Sequence, residues 1–61
     1  MKIKEGSRWA GGEYRQIFVV LAEVYTNDAV WIHYRDETGN PPREYSCYRD
    51  SFLQRFTPLP E

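Results

Sequence analysis

The sequence predicts an all-β domain, with about five short strands curled into a small barrel and one helical turn near the carboxyl terminus. Three observations predict it. Segments rich in β-branched and aromatic residues recur at strand length, bounded by Gly, Pro, Asn or Asp. Helical positions are few, and the period of two gives way only where Phe52 and Phe56 stand four apart. The chain has 61 residues, room for one domain over 1–61, and 16% of them are aromatic, which suits a core of few, bulky side chains.

Each element follows from local chemistry. Gly6-Ser7 and Gly11-Gly12 bracket a short strand at Arg8-Trp9-Ala10. Glu13 to Tyr25 carries Tyr14, Ile17, Phe18, Val19, Val20 and Val24, a long strand by propensity. Thr26-Asn27-Asp28 is a turn, and Ala29 to Asp36 is the next strand. Thr38-Gly39-Asn40-Pro41-Pro42 is a loop, because two prolines cannot donate to a ladder. Glu44 to Tyr48 is a further strand. From Arg49 to Arg55 the period of two is lost, and Phe52 and Phe56, four apart, suit a helical turn. Phe56-Thr57 makes a last short strand, ended by Pro58 and Pro60.

A hairpin centred on Asn27 would pair Val24 with Val30, Ala22 with Ile32 and Val20 with Tyr34. Those six and Phe18 would then share an apolar face, the expected core. The opposite face would collect Ile17, Val19, Leu21, Glu23, Trp31, His33 and Arg35. Its apolar members need cover, which a bent strand serving both sides of a barrel would supply.

Size and charge exclude several function classes. A chain this short buries only about 60% of the surface its unfolded form exposes. The 41% hydrophobic content still exceeds that of a disordered tail. The longest apolar run, Ile17 to Ala22, is six residues, against about twenty for a membrane span. Cys47 is the only cysteine, so no internal disulfide forms, and with the single His33 it cannot complete a four-ligand zinc site. No metal or cofactor is expected. The lone thiol and an amino terminus without an apolar run predict a cytoplasmic protein. The formal charge of −1 is spread evenly, which disfavours binding driven by phosphate neutralisation.

The chain resembles a family of short uncharacterised proteins of enterobacterial prophages and lambdoid phages. The resemblance is carried by Lys4, Gly6, Arg8, Trp9, Tyr34, Arg35, Cys47, Phe52, Phe56, Thr57 and Pro58. It implies a phage origin and transfers no function. The order of elements is also similar to that of SH3-like barrels, an analogy of fold that does not fix function.

Three kinds of chemistry remain. With the loop centred on Asn40, His33 would lie opposite Cys47, the one nucleophile–base pair available, although no orienting carboxylate or oxyanion loop accompanies it. Gly11-Gly12 lacks the Lys and the helix of a phosphate loop. No catalytic residue is therefore assigned. For nucleic acid, Arg8, Tyr14, Arg15, Arg35, Arg43, Tyr48 and Arg49 interleave cations and rings, as in barrels that stack single-stranded bases. In a strand, however, adjacent residues face opposite ways. For protein, Trp31, His33, Arg35, Tyr45 and a nearby Tyr25 would form an outward aromatic and Arg surface, the composition of interface hot spots. The alternative is that Trp31 belongs to a second half of the core. Edge strands at Arg8–Ala10 and Glu44–Tyr48 would offer backbone for strand addition or a homodimer. The expected function is a non-catalytic phage-derived module that engages a host or phage protein as an inhibitor or regulator. The alternative is a small nucleic-acid-binding barrel.

Overall fold

The computed structural model describes residues 3–12, 16–39 and 41–60. Its elements run β1 (Arg8–Gly11), β2 (Gln16–Thr26), β3 (Ala29–Asp36), β4 (Glu44–Tyr48), α1 (Arg49–Arg55) and β5 (Phe56–Pro58). The strands form one antiparallel sheet in the order β4-β3-β2-β1-β5. The all-β class, the five strands and the short helix are as the sequence predicts. The expected closure into a barrel does not occur. β4 leads directly into α1, which crosses the inner face of the sheet, and the three-residue β5 returns beside β1. Among the described residues β4 and β5 therefore remain the edges, and a helix packs where a closing ladder would run; the edge expected at Arg8–Ala10 is not one, because β1 pairs with β5 as well as with β2. Among the described residues no helix is long and apolar enough to cross a membrane.

The turn sets the register of the long hairpin. Asn27 and Asp28 both take positive φ, 52° and 60°, the signature of a two-residue hairpin turn whose twist matches the strands. Asn and Asp are the non-glycine residues that best tolerate this region. The turn pairs Thr26 with Ala29, Tyr25 with Val30 and Val24 with Trp31. The expected Val24–Val30 and Ala22–Ile32 pairs are thus one residue off. Between Val20 and Ala22 the register shifts, leaving Leu21 as an extra residue, and beyond it Val20 pairs with Tyr34 as expected. This β-bulge exchanges the faces of β2. Phe18, Val20, Ile32 and Tyr34 all turn inward and are buried. Ala22 and Val24 go outward with His33 and Trp31, and Glu23 moves to the side of Ile32.

The core joins Ile3, Trp9, Phe18, Val20, Ile32, Tyr34, Phe52 and Phe56, with Cys47 and Leu53 packed against it. Helix α1 has no side-chain cap at Tyr48, and seven residues are too few to hold helix alone. Phe52, fully buried, holds it down. Its ring lies 5.0 Å from Trp9, 5.4 Å from Tyr34 and 4.6 Å from Phe56. Asp50 in the first turn and Arg55 in the last add a small dipole term. The Trp9 indole N–H donates to Ser7 Oγ at 2.9 Å, and Ser7 Oγ donates to the Lys4 carbonyl, so the buried ring leaves no polar atom unpaired.

Two residues make local demands. A Cβ on Gly11 would lie 2.1 Å and 2.6 Å from the Phe56 ring, which Phe18, Tyr34 and Phe52 hold in place. Asp36, buried at the end of β3, organises the following loop. Its Oδ1 accepts from Thr38 Oγ1 at 2.6 Å, Thr38 N at 2.9 Å and Gly39 N at 3.1 Å. The Thr38 hydroxyl, then the two backbone amides, lower the Asp36 pKa against the opposing effect of burial.

Gly11→Ala is expected to lose about 1–3 kcal/mol through overpacking, read as a lower thermal midpoint; an unchanged midpoint would show that the ring is free to move. Asp36 titrates lower in the folded chain, so the unfolded chain binds more protons in that range. Its contribution is present above an unfolded pKa of about 4 and is lost as pH falls through the folded value. Urea midpoints between pH 6 and pH 2, chosen to bracket that window, should fall more steeply for the native chain than for Asp36→Asn. Equal slopes contradict the assignment.

Candidate functional site

The register arranges the outer sheet face in cross-strand rows. At the hairpin end lie Val24, Trp31 and Tyr48, paired side by side across β2, β3 and β4. The next row is Ala22, His33 and Ser46. The third is Arg8, Val19, Arg35 and Glu44. The face thus grades from apolar to charged over three rows. Trp31 is half-buried, and Tyr48 remains 52% exposed with its ring centroid 4.4 Å from that of Trp31. Helix α1 packs on the other side through Phe52 and does not cover this row. Val19 lines a depression shared with Gly6, Ser7, Arg8, Leu59 and Pro60, which partly shield the third row.

Of the expected protein surface, the structure brings together Trp31, His33 and Arg35 and separates Tyr45. Tyr45 pairs with Tyr34 and therefore takes the inner side. Tyr25 pairs with Val30, also away from Trp31, and its hydroxyl donates to Asp28 Oδ1 at 3.3 Å. Tyr48 joins Trp31 in its place. The same one-residue difference removes the nucleophile–base pair: His33 lies opposite Ser46, and Cys47 lies opposite Ile32, so the two side chains project from opposite faces.

The residues considered for nucleic acid do not form one stripe. Tyr14 and Arg15 lie outside the described residues. Arg8 pairs with Glu37 at 3.2 Å and Arg49 with Glu23 at 3.6 Å. Arg35 faces Glu44 across the ladder. Arg43 precedes β4, where its carbonyl accepts from Asp36 N at 2.9 Å.

A second feature, absent from the sequence reading, lies on the inner side. Phe18, Tyr34, Tyr45 and Phe56 line a groove of about 600 Å³, with Gly12, Gln16 and Arg55 at its margin. The Tyr34 and Tyr45 rings stack at 5.6 Å, and Phe18 and Phe56 stand edge-on to Tyr34 at 5.4 Å and 5.2 Å. The Arg55 guanidinium sits 5.3 Å from the centre of the Phe56 ring. Alternation alone would have put Tyr45 with Tyr34 had the loop been centred half a residue earlier.

Cys47 packs against the core beside this groove. Burial pushes its thiol pKa up, partly offset by Arg55 and by a hydrogen bond from the Tyr34 hydroxyl. Burial, then the charge of Cys47, pushes Tyr34 up as well, against an opposing pull from Arg55. Compared with protein-family models, curated proteins and solved structures, the chain matches none.

A half-buried thiol with a raised pKa is a poor nucleophile. Alkylation of Cys47 by iodoacetamide at mildly alkaline pH is expected to run about tenfold or more slower in the native chain than in urea; equal rates would place the thiol at the surface. Because both groups ionise later when folded, stability should also fall as pH rises beyond about 9.

Proposed function

We propose that this chain is a non-catalytic binding module that engages another protein, host or phage in keeping with the resemblance of its sequence, and acts as an inhibitor or regulator. The observation that carries this reading is the row Val24, Trp31 and Tyr48 on a sheet face that α1 leaves uncovered. Trp and Tyr concentrate binding energy because each presents a large, stiff area at low entropic cost. The flanking His33 and Arg35 supply a polar rim on the same face.

Charge favours a protein over a phosphate backbone. Nucleic-acid affinity rests on several unpaired cations acting together. Here the formal charge is −1, and Arg8 and Arg49 are already engaged with carboxylates. Nucleic acid is accordingly an outcome of the test.

The experiment is capture from a bacterial lysate with the native chain, Trp31→Ala and Val24→Lys, each with and without nuclease and at low and high salt. Val24 is 37% exposed, so a lysine there leaves the fold intact. A partner retained after nuclease treatment and at high salt, and lost with both variants at unchanged thermal midpoint, is the expected result. Capture abolished by nuclease or by modest salt would replace this reading with nucleic-acid binding. Unfolding of Trp31→Ala, with Val24→Lys still binding, would make Trp31 a core residue and the face inert.

A further inference from the structure

We propose that the groove between β4 and β5 receives an extended acidic peptide segment, which adds to the free edge of β4, seats one aromatic or aliphatic side chain among the rings and sets a carboxylate on Arg55. The inference rests on the protein-binding reading but uses the side of the sheet opposite Trp31.

The edge comes first. β4 is hydrogen-bonded to β3 alone, and β5 to β1 alone. Asp36 N donates to the Arg43 carbonyl at 2.9 Å. In an antiparallel ladder hydrogen-bonded pairs alternate with non-bonded ones, so Tyr34–Tyr45 and Ile32–Cys47 are the bonded pairs. The backbone N–H and C=O groups of Glu44 and Ser46 then face away from β3, where no described strand meets them. An incoming strand finds donors and acceptors at the correct spacing.

The groove supplies the anchor. Tyr45 is 41% exposed although it stacks on a buried ring, because β4 has no neighbour on its outer side. Its ring and those of Phe18, Tyr34 and Phe56 bound a volume of about 600 Å³, within the usual range for a small-ligand cleft. Side chains of an added strand alternate, so every second one projects toward this inner side.

Charge selects the occupant. Arg55 is the one charged side chain among the described residues lining the groove. It is held over Phe56, and no described carboxylate lies within ion-pair distance. One guanidinium matches one carboxylate, which a peptide offers within two residues of its anchor. A nucleic acid brings a phosphate with every nucleotide and needs more cations than this. Guanidinium also repels a cationic guest, so the rings are not a cage for a methylated lysine.

The test titrates the ¹⁵N-labelled full chain with capped heptapeptides carrying Phe, Tyr, Trp or Leu centrally and Asp or Glu two residues away. Matched peptides carry Gln or Lys in place of the acid; phenylacetate and oligothymidylate are the other arms. The expected result is saturable shifts at Tyr45, Ser46 and Arg55 with acidic peptides, about tenfold weaker with the Gln series. Arg55→Gln should erase that preference. Ser46→Pro should leave the fold intact, since edge prolines are tolerated where the N–H points outward, and should weaken binding about tenfold. Trp31→Ala should change nothing here, which separates failure of this site from failure of the outer face. Equal affinity for acidic and Gln peptides, shifts from oligothymidylate or phenylacetate alone, or no response to any peptide would overturn the proposal.

Discussion

One extra residue in β2 reconciles two requirements that a regular hairpin cannot meet together. The Asn27-Asp28 turn demands that Thr26 face Ala29. The core demands that Val20 share a side with Ile32 and Tyr34. Because side chains alternate with a period of two, an unbroken ladder from that turn would turn Val20 outward. Leu21 absorbs the difference. The outer row follows from that shift: Val24 joins Trp31 outside, beside Tyr48.

Below the sheet, the limited core of a 61-residue chain is met by rings. Tyr34 touches Phe18, Tyr45, Phe52 and Phe56, so one side chain links the sheet, the helix and the last strand. A domain of this size retains roughly 3–9 kcal/mol of net stability, and truncating one buried ring costs about 3–5 kcal/mol. Loss of one buried ring would therefore remove much of that stability. Using a helix instead of a ladder between β4 and β5 buries Phe52 but leaves both strands as edges. The ring-lined groove is the consequence.

Much of this was legible in the chain. The bounds of β3 and β4 coincide with the turn at Asn27-Asp28, the Pro41-Pro42 loop and the loss of the period of two after Tyr48, and Phe52 and Phe56 mark the helix and the strand after it. Phe18, Val20, Ile32 and Tyr34 could be assigned to the core from alternation near the middle of the hairpin. Register was the weak point. The run Ile17 to Ala22 is apolar throughout, so no polar residue marks where the faces exchange, and Leu21 carries no local sign of a bulge. The turn chemistry of Asn27-Asp28 did hold the missing signal, since two adjacent residues tolerant of positive φ favour a two-residue loop. In the loop after Asp36, a half-residue difference in centre sent Tyr45 inward and parted His33 from Cys47. Trp31, His33 and Arg35 stayed together because they alternate on one strand and need no loop to align them. Barrel closure failed as an expectation because α1, anchored by Phe52, packs between β4 and β5 where a closing ladder would run.

The ladder between β2 and β3 thus decides which side chains line each face of the sheet. Cross-strand nuclear Overhauser effects in the ¹³C,¹⁵N-labelled chain read it directly. Backbone contacts of Val24 with Trp31 and of Glu23 with Ile32 are expected, together with Val20 against Tyr34 and no partner for Leu21. An uninterrupted series with Ala22 opposite Ile32 and Val24 opposite Val30 would contradict this register, and would return Val24 to the inner side.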